Sequence, residues 1–325
     1  MPLQEKIPVI LRFTVVVLLM INCPFAEIYA QQEPQFTHNM FNYSDVNPGH
    51  YGLSEGICVT GILREQWLGF KDEDGNKVNP QTLLIGADSP IKFLHGGIGL
   101  NIVQDKYGFY TDMAVKLGYA YHLTVGNGVL GIGVNAQLLN KALDMNKLHG
   151  VDEGDPQLSG KSSQGVVITD MSAGIFYNNP KYYLSLSSTQ LLQSEKDLGG
   201  AEGVGTFTLR RHYYAGGGIN LASPAFPAFI LTPSVFVKSD GSTLQADFNG
   251  MVTYNKKVWG GVSYRLSDAI ALMVGLNAKE LEIGYAYDIP TSRVGATGSH
   301  EIMLRYIFRI EREKSRSGYR NTRYL

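Results

Sequence analysis

Over most of this chain apolar and polar side chains alternate with a period of two, and after residue 30 no apolar run is long enough for a membrane helix. Leu244, Ala246, Phe248, Val252 and Tyr254 share one face of a segment whose other face carries Gln245, Asp247, Asn249 and Thr253. Val258, Gly260, Val262 and Tyr264 oppose Trp259, Gly261, Ser263 and Arg265 in the next. Leu281, Ile283, Tyr285 and Tyr287 alternate with Glu282, Gly284, Ala286 and Asp288. Ile302, Leu304, Tyr306 and Phe308 are set against Glu301, Met303, Arg305 and Ile307, and Val115, Leu117, Tyr119 and Tyr121 against Lys116, Gly118, Ala120 and His122. A soluble sandwich alternates too. Here the apolar face carries aromatics near the strand ends and the other face mixes small with charged residues, the division between lipid and a polar lumen.

These segments predict an all-β fold: a transmembrane up-and-down antiparallel β-barrel of about 14 strands in the cell outer membrane. The expected strands are Cys58–Gln66, Thr82–Asp88, Gly97–Gln104, Asp112–Leu123, Val129–Leu139, Val166–Tyr177 and Tyr182–Ser188. After them come Leu209–Asn220, Phe229–Ser239, Thr243–Tyr254, Val258–Arg265, Ile270–Leu276, Leu281–Asp288 and His300–Phe308. The long connections Leu68–Gln81, Asn140–Gly165, Thr189–Thr208 and Ile289–Ser299 all follow odd-numbered segments, whereas Gly126-Asn127, Asn178-Asn179-Pro180 and Asn255-Lys256-Lys257 follow even ones. That parity suits long loops outside and short turns in the periplasm, with both termini at the periplasmic end. Counts of about twelve or sixteen would keep it.

Residues 1–30 read as a signal peptide. Lys6 and Arg12 precede an apolar run from Phe13 to Ile21, and cleavage after Ala30 would leave Gln31 first. Cys23 would leave with it, so Cys58 would have no disulfide partner, and closure of the barrel is the expected source of rigidity. Residues 31–57 are polar with scattered aromatics and form an N-terminal periplasmic or plug segment: they either fill the lumen or line its periplasmic mouth. Residues 58–308 form the barrel. Residues 309–325 form a basic periplasmic tail with Arg309, Arg312, Lys314, Arg316, Arg320 and Arg323, either simply solvated or docking on an acidic partner.

Patterns of enzymatic chemistry do not survive their context. Gly131-Ile132-Gly133-Val134-Asn135-Ala136 matches a dinucleotide fingerprint but lies inside an alternating segment with no helix after it. Asp72-Glu73-Asp74-Gly75-Asn76 lacks the downstream glutamate of a calcium loop. The seven histidines are dispersed without metal-ligand spacing, and no cofactor is expected. A formal net charge of −1 gives no support for nucleic-acid binding.

The N-terminal blocks carry a resemblance. Gln35-Phe36-Thr37-His38-Asn39-Met40-Phe41-Asn42 and Val46-Asn47-Pro48-Gly49-His50-Tyr51-Gly52 precede Arg64-Glu65-Gln66-Trp67, with Gly69-Phe70 and Pro80-Gln81-Thr82 beyond. Tyr119-Ala120-Tyr121, Gly131-Ile132-Gly133, Leu281 to Asp288 and Gly298-Ser299-His300-Glu301-Ile302 follow. The mature chain resembles the PorP/SprF family of type IX secretion membrane proteins from Bacteroidota, with Gly49-His50 departing from the usual Ala-Tyr. The resemblance implies a non-enzymatic outer-membrane component of type IX secretion or gliding motility, which binds or anchors a secreted adhesin or secretion machinery. Its expected partners are outer-membrane lipid, the adhesin and other type IX components. Arg64, Gln66 and Trp67, with Asn47 and Pro48, are the candidate partner-binding or structural cluster; Trp67 reads equally as a girdle residue. A small-solute or fatty-acid channel is the alternative, and an outer-membrane hydrolase a third.

Overall fold

A computed structural model describes residues 33–71, 75, 77–144, 164–197, 206–291 and 297–309. The expected signal peptide, most of Asp72–Asn76 and of the connection Asn140–Gly165, and the basic tail beyond Arg309 lie outside the described residues. The strands are β1 Gly56–Glu65, β2 Gln81–Ile91, β3 Gly96–Tyr107, β4 Tyr110–Val125, β5 Gly128–Leu143, β6 Gln164–Asn178, β7 Tyr182–Thr189, β8 Glu195–Asp197 and β9 Thr206–Thr208. They continue as β10 His212–Ile219, β11 Leu221–Ser223, β12 Phe226–Ser239, β13 Leu244–Tyr254, β14 Val258–Arg265, β15 Ala269–Ala278, β16 Leu281–Pro290 and β17 Ser299–Arg309.

Every neighbouring pair is antiparallel, β1 pairs with β17, and β10 pairs with both β7 and β12, so the sheet closes on itself. With β10 and β11 counted as one strand interrupted at Asn220, the barrel has 14 strands. All fourteen expected segments are present, most of them longer than the alternation alone indicates. β8 and β9 form a separate two-stranded hairpin in the connection between β7 and β10.

Closure follows from the chemistry of the two faces. A barrel in lipid must pair every backbone N–H and C=O within itself, and a closed sheet does so without an edge. Along β5, Ile132, Val134 and Leu138 point outward while Asn135, Gln137 and Lys141 are buried inside. Along β15, Ile270, Leu272, Val274 and Leu276 face outward, and Ala271 and Met273 inward. The large apolar residues on the outer wall are the lipid-facing band. Tight turns close one end: Asn255 and Lys256 both have positive φ, as a narrow hairpin loop requires. No helix among the described residues is long and apolar enough to cross a membrane; the crossing elements are strands.

The described part of the N-terminal segment lies inside the barrel, with Thr37, His38, Asp45 and Asn47 hydrogen-bonded to inward-facing residues of the wall. It descends through three short helical turns, Asn39–Phe41, Tyr43–Val46 and Pro48–His50, before joining β1. The N-terminus itself, expected together with the C-terminus at the short-turn end, lies outside the described residues. Glu33 lies at the long-connection end, where Tyr214 Oη donates to its carboxylate at 2.6 Å and Gln190 Nε2 at 3.1 Å. The chain then runs down the inside, and Gly52 meets the wall at the opposite end, beside Ser89, Pro90 and Gly97. Arg309 also lies at that end, paired with Gly56.

Candidate functional site

Two structures inside the barrel determine what the molecule can do: the contacts that hold the plug, and the cavity above it. The first centres on Glu301 of β17, whose side chain is fully buried. Its Oε2 accepts from the backbone N–H of Thr37 (2.8 Å) and from Arg64 Nη1 (3.0 Å). Its Oε1 accepts from the N–H of His38 (2.8 Å) and lies 2.7 Å from His38 Nδ1. Arg64 Nη2 donates to Asp288 at 2.7 Å, and Thr37 Oγ1 donates to Asp288 at 2.7 Å. Arg265 extends the network to Asp247 (3.3 Å), Asp268 (3.3 Å) and Asp288 (3.5 Å), and Asn39 Nδ2 donates to Asp247 at 3.1 Å. Buried charges are tolerable only when paired and hydrogen-bonded, and here the plug backbone supplies part of that satisfaction.

The plug is also packed by shape. Phe41 packs against Trp259 with ring centroids 5.0 Å apart and the rings tilted by 35°, and Trp259 lies against Gly275 on the neighbouring strand. Tyr43 meets Phe176, Tyr183 and Phe236 at 5.2, 5.4 and 5.9 Å. Lys116 Nζ donates to Asp45 Oδ1 at 2.8 Å and to its carbonyl at 3.1 Å. The turn Asn47-Pro48-Gly49 presses on the wall where β5 and β6 carry glycines. A Cβ on Gly133 would lie 2.3 Å from the Pro48 carbonyl oxygen, and one on Gly131 only 2.0 Å from that of Gly49. The apparent dinucleotide fingerprint is therefore the seat of the plug.

The candidate residues do not form one cluster. Asn47 is wholly buried deep in the lumen, where its Nδ2 donates to the Ile175 carbonyl (2.9 Å) and Ser185 Oγ (2.8 Å) and its Oδ1 accepts from Gly49 N–H (2.9 Å). Pro48 sits beside it over Gly133. Arg64, Gln66 and Trp67 are at the other end and line a cavity of about 670 Å³. Trp67 is past the end of β1, with φ of 51°, a loop residue at the mouth that lines the cavity. Its backbone N–H donates to Ser299 Oγ at 3.3 Å, and its ring meets Phe70 edge-on at 6.3 Å.

The cavity is rimmed by the ends of strands that lead into odd-numbered connections, including Pro80, Tyr107, Gln190, Leu244 and Ser267. Below the rim, Glu301, Arg64, Thr82, Asp105, Asp112 and Lys141 are successive register partners from β17 through β5, forming one polar rung around the inner wall. Lys141 is ion-paired with Asp112 and lies 5.5 Å from the Phe207 ring centroid. Sequence reasoning missed Asp105, Asp112 and Lys141, because charges on a lumen face signal only that the face is polar; register is needed to bring them together. Glu301 lies in the Gly298–Ile302 stretch, whose pattern by itself assigns it no partner.

Solved structures with related architecture include three bacterial barrels. Omp33 of Acinetobacter baumannii is 9% identical over 79% of this chain and 100% of that one, with a TM-score of 0.44. A TodX deltaS2S3 mutant monoaromatic hydrocarbon channel is 10% identical, covering 84% of this chain and 93% of that one, at 0.45. The translocator domain of the autotransporter NalP from Neisseria meningitidis is 13% identical, covering 83% and 94%, at 0.39. Comparison with curated proteins finds no match. Residues 28–306, spanning the plug and nearly the whole barrel, match the family described as type IX secretion system membrane protein PorP/SprF. The chain belongs to the PorP/SprF family and is an outer-membrane β-barrel component of type IX secretion.

Proposed function

We propose that this protein is a non-enzymatic docking component, whose outward mouth binds or anchors a secreted adhesin or a part of the secretion machinery. The supporting observation is the division of the interior: residues 33–52 contact the inner wall along its length, while a cavity of about 670 Å³ remains at the long-connection end. A barrel so arranged suits recognition at its mouth better than transport through its middle. Trp67 and Gln66 line that mouth, and a half-buried tryptophan beside an apolar neighbour is the residue type that anchors protein interfaces. Arg64 holds the floor through the plug, and Asn47 and Pro48 are the part of the plug that rests on the glycines of the wall.

The test is a deletion strain complemented with wild-type protein or with Trp67→Ala. Loss of one or more proteins from the cell surface on deletion, restored by wild type and weakened by the variant, is the expected result. An unchanged set of surface proteins and unchanged motility would overturn the reading. A small-solute channel remains the competing function, and bilayer conductance separates the two.

A further inference from the structure

Charge in the upper lumen does not balance. Arg64, Lys116, Lys141 and Arg265 line the cavity, and each is already engaged, between them by Asp45, Asp112, Asp247, Asp268, Asp288 and Glu301. Two further carboxylates on the cavity wall, Glu33 and Asp105, have no ion-pair partner among the described residues. Glu33 is taken up by the hydroxyl of Tyr214 and the amide of Gln190. Asp105 accepts from Thr82 Oγ1 at 2.6 Å, is within electrostatic reach of the Lys141 ammonium that Asp112 holds, and stands directly across from Asp112, with which it is paired in register. Like charges opposite one another on adjacent strands repel.

The same wall also carries unpaired polar atoms. Asp112 Oδ1, Gln137 Oε1 and Gln245 Oε1 are buried without a hydrogen-bond partner, beside two guanidinium donors likewise without one, Arg64 Nε and Arg265 Nε, and the ring nitrogen Nε2 of His212. Gln137 is only 3% exposed and lines the cavity from below the rung. An orphaned acceptor in such a place carries a desolvation cost that a donor entering the cavity would relieve. The wall already shows how it treats a cation: the ammonium of Lys141 is held between the Asp112 carboxylate and the rings of Tyr107 and Phe207. No group of three His, Cys, Asp or Glu side chains among the described residues converges as metal ligands do.

We infer that this cavity is a subsite for a basic side chain, a lysine or arginine of the docked protein, received by Asp105 with Asp112, while the Gln137 oxygen, four residues deeper on β5 than Lys141, accepts from a further donor of the same partner. The inference rests on reading the mouth as a protein-docking site and supplies the chemistry of recognition there.

The test is calorimetric titration of the full-length protein in detergent with tetra-arginine, and with tetra-glutamate as the opposite probe. Tetra-arginine should bind, and more weakly as salt rises. D105N should weaken it on the order of tenfold, because a charge-assisted contact is lost. E280Q, which removes the same charge at the far end of the barrel, should leave affinity unchanged. Heat-modifiable gel mobility shows that each variant remains a folded barrel, and Q137M gives a second, smaller loss should D105N not fold. No binding of tetra-arginine, equal binding of tetra-glutamate, or equal losses in D105N and E280Q would each overturn the inference. The peptide assay and the surface-protein profile fail separately: no peptide binding with surface proteins lost on deletion rejects the subsite alone.

Discussion

Glu301 joins plug and wall through a side chain that sequence alone assigns simply to the polar face of the last strand. It accepts two plug backbone N–H groups, faces the His38 ring and pairs with Arg64. Removing it leaves Arg64 short of a counter-charge and two buried N–H groups without acceptors. Breaking a buried pair in this way costs about 3–5 kcal/mol, so Glu301→Ala should lower the denaturant midpoint of the refolded barrel by that equivalent. A midpoint unchanged from wild type would mean that the plug does not contribute to stability. Gly133 tests shape instead of charge. Its Cβ would meet the Pro48 carbonyl, which belongs to backbone and has little room to move. Gly133→Val should unseat the turn at Asn47–Gly49 and raise its cleavage by an added protease, whereas Gly250→Ala, with no atom within 4 Å of the new carbon, should be silent.

At the level of elements, the strands were legible and the plug's path was not. Each strand announces itself because lipid and lumen demand opposite side chains at successive positions. β14, for example, runs Val258–Arg265 as the alternation alone indicates, with Trp259 and Arg265 buried inside and Val258, Val262 and Tyr264 exposed. The break at Asn220 and the hairpin of β8 and β9 leave no such trace, since three-residue strands are too short to establish a period. The plug follows a different logic: Thr37, His38, Asn39 and Asn47 are polar residues chosen for individual partners on the wall, so only the folded register reveals them. The same reasoning explains why Arg64 and Asn47, near in sequence blocks, end on different parts of the lumen. If the plug seals the barrel, deleting residues 33–52 should turn a protein with no steady bilayer current into one that conducts ions. Equal conductance with and without the segment would favour the channel reading.

For the whole molecule, orientation decides which mouth a partner meets. Long connections all leave one end, and at that end lie the cavity, Trp67 and the first described residue of the plug. Short turns close the other, where β17 ends beside the start of β1. Up-and-down barrels place long loops outside the cell, which puts the cavity within reach of a secreted protein and the end of β17 toward the periplasm. Single cysteines test this directly, because the native Cys58 is buried and gives little background. Lys196→Cys, in the exposed β8 strand, should react with a membrane-impermeant maleimide on intact cells. Lys181→Cys, in the exposed turn between β6 and β7, should react only after the outer membrane is permeabilised. The reverse pattern would invert the barrel, turn the cavity toward the periplasm, and make a periplasmic component of the machinery the partner at the mouth instead of a surface protein.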